Sequence, residues 1–173
     1  MAGSPTIGSI FAQRIVVGVA EFAVGNQPQS TISTYALGSC IGVVAYDPVA
    51  RVGGLLHLML PDSTISPEKA ASQPAMFADT GIPILFNGLA GMRCQRSRIQ
   101  LFLAGGASVL SGPDSFKIGE RNIIAVRRML AVYGCRIVGA EVGGILNRTL
   151  HLTVGTGQLS IKLPDQMIAV SLA

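Results

Sequence analysis

Tryptophan is absent from this 173-residue chain, aromatics make up only 5% of it, and charged residues only 13%. Roughly 25% charged is ordinary for a globular protein, so few charges have to cover a large surface. Either a partner covers some apolar surface, or a β-rich domain packs it away. The shortage of aromatics excludes a function. Proteins that grip nucleic acid strands interleave basic residues with stacking rings. Arg93, Arg96 and Arg98 cluster, as do Arg121, Arg127 and Arg128, but no such rings accompany them and the net charge is only +4. Both clusters read as solvated faces, and no nucleic-acid partner is expected.

Long apolar runs are also missing. A membrane-spanning helix needs about 18 or more consecutive apolar residues. Ile15 to Val24 is interrupted by Glu21, while Leu55 to Leu60 carries His57 and stops at Pro61. Met1 to Arg14 lacks the basic start and apolar stretch of a secretion signal. Residues 1–13 read as a flexible leader, and residues 14–173 as a single domain, since one core usually spans about 100–200 residues. Three cysteines, Cys40, Cys94 and Cys135, are too few and too oddly spaced for a disulfide framework or a metal site. A reducing cytoplasm fits them best, and no metal or cofactor is expected.

The apolar pattern supplies the elements. Residues 14–24 read as one strand and Thr31 to Leu37 as a second, running into Gly38-Ser39-Cys40. Ile41 to Tyr46 and Val52 to Leu60 flank Asp47-Pro48-Val49-Ala50, which has type I turn chemistry. Ser66 to Ala71 opens like a helix, with Ser66 as N-cap and Pro67 in the first position. Met76 to Met92 reads as helix broken or kinked at Pro83. Ile99 to Leu103 is a strand, and Glu120 to Tyr133 has helical period closed by Gly134. Arg136 to Glu141, Arg148 to Val154 and Gln158 to Lys162 alternate like antiparallel strands. The fold class expected is α+β, a layered sandwich of mostly antiparallel sheets with two main helical regions.

One hairpin carries chemistry. With Asp47 to Ala50 as its loop, Tyr46 faces Arg51 and Cys40 falls directly across from His57. Directly paired side chains sit about 4.5–5.5 Å apart at Cβ, close enough for an imidazole to take a thiol proton. A free thiol has a pKa of about 8.5 and needs such a base near neutral pH. Gly38 and Ser39 leave room beside the sulfur, and the turn's backbone N–H groups are candidate oxyanion donors. The Thr34 hydroxyl is a candidate third member, orienting His57. The duller readings are a buried structural cysteine, a core histidine and an ordinary strand threonine. His151, between Leu150 and Leu152, reads as a surface-facing strand residue. Cys94 and Cys135 read as structural.

Ordered motifs extend beyond the hairpin. Thr34-Tyr35-Ala36-Leu37-Gly38-Ser39-Cys40, Tyr46-Asp47-Pro48 and Gly53-Gly54-Leu55-Leu56-His57-Leu58-Met59-Leu60-Pro61 resemble the chemoreceptor glutamine deamidase family CheD. Phe77-Ala78-Asp79-Thr80, Gly105-Gly106-Ala107, Ile118-Gly119-Glu120-Arg121-Asn122, Gly143-Gly144, Arg148 and Thr156-Gly157 succeed them in the family's order. Ala104, where the family usually has phenylalanine, and Asn147, where it has glycine, depart from the pattern. The resemblance implies a layered fold related to deamidating toxins and a Cys–His–Thr triad at Cys40, His57 and Thr34. It implies a cytoplasmic hydrolase acting on glutamines of chemoreceptor helices, with the phosphatase CheC as an expected partner. A thioester route of this kind could also hydrolyse glutamyl methyl esters, since an ester is easier to acylate from than an amide. A non-catalytic adaptor binding receptor or CheC, and a protease or transglutaminase-like enzyme using the same pair, are the competing readings.

Overall fold

The strand Ile41–Asp47 is buried along its whole length, and a strand with two covered faces has to occupy a middle layer. Its residues divide accordingly. Ile41, Val43 and Ala45 join a core shared with helices, whereas Val44 and Tyr46 join a second core shared with another sheet. The structure, a computed structural model, describes residues 13–108 and 115–173. Residues 1–12 of the expected leader therefore lie outside the described residues, and Gln13 already begins a strand.

Among the described residues, ten strands form two five-stranded sheets. The outer sheet runs β1 (Gln13–Val16), β3 (Ser30–Leu37), β8 (Arg148–Thr153), β9 (Gln158–Lys162), β10 (Met167–Ser171). The middle sheet runs β2 (Glu21–Gly25), β5 (Val52–Leu58), β4 (Ile41–Asp47), β6 (Gln100–Gly105), β7 (Arg136–Val142). Helices α2 (Ala78–Gly91) and α3 (Ile118–Tyr133) pack on its far face, and a short α1 (Pro67–Ser72) precedes them. The α+β layered sandwich expected from the sequence is the observed architecture. Among these ten strands, the pairings are antiparallel except β1 with β3 and β6 with β7.

Four local expectations need correction. Residues 14–24 are two strands, not one: the chain turns at Gly18 to Ala20, where Ala20 adopts φ 63°, and crosses from the outer to the middle sheet. An unbroken apolar run hides such a crossing, because both halves are strand-like. Arg136–Val142 lies parallel to β6 because α3 carries the chain back between them. Pro83 sits inside a continuous α2, where it removes one hydrogen bond, to the Asp79 carbonyl, without ending the helix.

The fourth correction is the hairpin register. Asp47 pairs with Val52, so the loop is Pro48 to Arg51, one residue later than the turn chemistry suggested. Asp47 accepts from the N–H groups of Val49 and Ala50 at 3.0 Å each, and Arg51 closes the loop at φ 52°. His57 therefore lies across from Gly42, not Cys40. Moving the loop by one residue shifts the pairing by two, which preserves the face each side chain points to. The pairing runs without a bulge through Gly53 and Gly54. A Cβ at Gly53 would lie 2.8 Å from Leu152 of the outer sheet, and one at Gly54 3.1 Å from Leu85 of α2. The two glycines let layers close on both faces.

Candidate active site

His57 is fixed by its strand. It alternates with Leu55, which belongs to the core between the two sheets, so its ring enters that interlayer space and is buried. Its neighbour across the hairpin, Gly42, has no side chain; a Cβ there would meet Leu37 and Leu150 at 2.9 and 2.8 Å. Cys40 is two residues before Gly42, partly exposed, and packs against the same interlayer cluster. The relation between thiol and imidazole is thus diagonal, about 7–8 Å between backbones, and no hydrogen bond joins the two groups in this structure.

Thr34 enters from the outer sheet and is fully buried. Its hydroxyl donates to the Val17 carbonyl at 2.7 Å and meets His57 Nδ1, also at 2.7 Å. A hydroxyl has one hydrogen, so with that hydrogen on Val17 its oxygen accepts from Nδ1–H. This fixes the tautomer. Nδ1 carries the proton, and Nε2 keeps its lone pair. Among the described residues that buried Nε2 has no hydrogen-bond partner.

Burial sets the resting charges. It holds the His57 pKa down to about 4, against the opposing pull of Glu21, its neighbour on β2. Burial also pushes the Cys40 thiol upward, offset in part by the residue's own backbone N–H. Near pH 7 the site rests as a neutral thiol and a neutral imidazole, a base whose lone pair is free. The other cysteines differ in surroundings. Burial raises the Cys94 thiol to about 11, and Cys135 is raised by burial and hydrogen-bonds to carbonyls of Arg96 and Tyr133.

The turn around Gly38 and Ser39 is anchored through its carbonyls. Gly38 O accepts from Ala107 N and Cys40 O from Gly106 N, both at 2.8 Å. Ser39 O accepts from Asn122 Nδ2 at 2.9 Å. In a trans peptide the N–H points opposite to the C=O, so these anchors aim the N–H groups of Ser39 and Cys40 away from the scaffold. Upstream, the β3–β8 register shifts between Thr34 and Leu37, with Ala36 at φ 54°. Such a bulge bends the strand and re-aims the residues beyond it. A cleft of about 460 Å³ lies alongside, lined in part by Gly106, Glu120, Ile123 and Gly143.

Sequence reasoning overlooked three contributors. Val17 acts only through its carbonyl, which no side-chain pattern reveals. Gly42 reads as one more small strand residue. Asn122 had a detectable signal, being polar yet four and eight residues before the buried Val126 and Leu130 of α3. His151 is half-buried, with Nδ1 2.8 Å from Ser33 Oγ on the opposite side of β3 from Thr34. Ala104 is buried across from Gly42, and Asn147 lines a separate cleft with Tyr35 and His151. No helix among the described residues is long and apolar enough to cross a membrane.

Comparison with known proteins converges on one family. The family model described as CheD chemotactic sensory transduction matches residues 59–163. A probable chemoreceptor glutamine deamidase CheD of Solibacter usitatus is 48% identical over 147 residues, covering 85% of this chain and 87% of that protein. Proteins of the same description from Syntrophus aciditrophicus and Pyrococcus abyssi are 43% and 37% identical, covering 92% and 91% of their own lengths and 86% and 87% of this chain. Among solved structures, a Neisseria meningitidis protein of DUF152 overlaps at TM-score 0.44 with 12% identity, covering 79% of this chain and 64% of that one. So loose a likeness says nothing about chemistry.

Proposed function

The chain belongs to the CheD family, and from that premise we propose that it is a protein-glutamine deamidase of chemotaxis receptors, with Cys40 as nucleophile, His57 as base and Thr34 as the residue that orients the base. The reading rests on relatives named as deamidases and on one observation: a buried imidazole locked with its free lone pair on Nε2, on the face of the sheet that Cys40 shares.

The chemistry runs in two halves. His57 Nε2 takes the Cys40 thiol proton as the sulfur attacks the carboxamide carbon of a receptor glutamine. The carbonyl oxygen gains negative charge and is met by the N–H groups of the Gly38-Ser39-Cys40 turn. As the C–N bond breaks, Nε2–H protonates the leaving nitrogen, releasing ammonia and leaving a thioester on Cys40. Nε2 then removes a proton from water, which attacks the thioester. Glutamate departs, and the proton returns to sulfur. The net change is amide plus water to carboxylic acid plus ammonia, without metal or cofactor.

The substrates are the helical cytoplasmic regions of methyl-accepting receptors, which places the enzyme in the cytoplasm, with CheC as a binding partner. The test is to incubate receptor cytoplasmic fragments with the protein and follow glutamine-to-glutamate conversion by mass spectrometry. Conversion by the parent and none by a folded Cys40→Ala variant is the expected result. Equal conversion by both removes Cys40 from the mechanism. Binding of receptor or CheC without conversion by either makes the chain an adaptor.

A further inference from the structure

Resting on the thiol–imidazole reading above, we infer that Asn122 is a positioning residue of this reaction, holding the nucleophile turn and the end of the histidine strand in one geometry through a single amide. The residue is fully buried. Its Nδ2 donates to two carbonyls at 2.9 Å each, Ser39 O and Met59 O. Ser39 immediately precedes Cys40, and Met59 is two residues beyond His57. Both partners are acceptors, so the atom between them has to be the NH2 group, and the amide has one permitted orientation.

The placement is costly for a residue that only packs. The Asn122 Oδ1 is buried without a partner among the described residues, and an unmet polar atom of this kind costs about 1–3 kcal/mol. Its neighbours on α3, Val126 and Leu130, fill the same face with aliphatic side chains. The helix is also docked unusually closely at this point. A Cβ on Gly119 would lie 2.5 Å from the Gly106 carbonyl, and Gly106 N binds Cys40 O. The N-terminal end of α3 therefore contacts the nucleophile segment directly through Asn122 and indirectly through Gly119 and Gly106.

The route to the chemistry passes through one peptide. The Asn122 NH2 group draws electron density onto Ser39 O. Hydrogen bonding at one end of a peptide strengthens donation at the other, and the other end is the Cys40 N–H. That N–H draws the Cys40 thiol pKa down against its burial and is one of the groups aimed away from the scaffold. Removing the amide frees the Ser39–Cys40 peptide to rotate and leaves two carbonyls without their donor.

The experiment uses full-length protein with Cys94→Ala and Cys135→Ala, so that Cys40 is the sole thiol. Alkylation of Cys40 by iodoacetamide across pH is measured beside kcat and KM for a receptor fragment. Asn122→Ala is expected to lower kcat by about 10- to 100-fold, leave KM within about twofold, and displace the alkylation profile to higher pH. Asn122→Ser, which can serve one carbonyl, is expected to fall between it and the parent; it gives the same readouts if the alanine variant does not fold. Arg98→Ala, at the far end of β4, supplies a destabilised control with parental kcat. Parental kcat and an unmoved alkylation profile in both Asn122 variants, with only Tm reduced, would overturn the inference. Failure of the parent to convert glutamine would sink the deamidase reading alone, because the alkylation profile reports on the turn without a substrate.

Discussion

The two ends of β4 handle polar groups in opposite ways. At one end Asp47 is fully buried and completely satisfied: it accepts from the N–H groups of Val49, Ala50 and Gln95 and is clamped by Arg98 Nε and Nη2 at 2.8–3.2 Å. Burial pushes its carboxyl upward, yet Arg98 and the three backbone donors outweigh that push and hold it below the usual carboxylate range. At the other end, around Cys40, His57 Nε2 and Asn122 Oδ1 are buried without partners among the described residues. Seven residues of strand separate a finished hydrogen-bond network from an unfinished one. Buried polar groups are normally paired; where they are not, a fold has kept capacity for something that arrives later. Asp47 holds the hairpin, and the Cys40 end keeps two buried polar atoms unpaired among the described residues.

Substitutions at the two ends should therefore separate activity from stability. The largest effect expected is at Cys40→Ala, which should reduce glutamine conversion by roughly 10⁴-fold or more with little change in denaturation midpoint. Next is pH. A histidine held neutral by burial disfavours the folded state in acid, because the unfolded chain takes up the proton from about pH 6.5 downward. Stability should thus decline as pH falls from about 6.5 to about 4, by up to about 3 kcal/mol, and His57→Gln should flatten that slope in urea titrations. In the parent, kcat/KM should hold until the pH nears 4; an acid limb centred at 6.5 would mean that burial does not hold the His57 pKa down, and an acid limb unchanged in His57→Gln would mean that His57 is not the base.

Asp47→Ala comes third, with an expected loss of about 2–3 kcal/mol from stranded donors and an unpaired Arg98 and unchanged turnover per folded molecule. A depressed carboxylate contributes in full above its unfolded pKa, so the charge-dependent part of this loss should fade as pH falls through the folded value. Thr34→Val is the smallest: about a tenfold fall in kcat, since the ring stays in place while its tautomer is no longer held. If Thr34→Val lowers only stability, the threonine is packing and nothing more.

Legibility divides along the same line. β3, β4, β5, β9 and α3 are readable because alternation, a proline-containing turn and a terminal glycine are local signals. The hairpin loop falls one residue later than its composition suggests because Asp47 satisfies its neighbours' N–H groups from inside the strand, and turn composition does not say where pairing stops. The crossing at residues 18–20 is invisible because both of its strands are equally apolar. Cys40 and His57 can be nominated from residue type. The contacts that prepare them belong to Val17 O, Ser39 O and Met59 O, backbone atoms with no residue-type signature.

Thr34 and His57 come from different layers, so the 2.7 Å contact between them works as a gauge of how far apart the sheets stand. Leu37, Leu150, Phe102 and Leu55 act as the spacers that set this gauge. With His57 as the proposed base, swapping any of them for a bulkier or thinner side chain should detune proton transfer without touching the ring. The thickness of the hydrocarbon filling then becomes a kinetic variable.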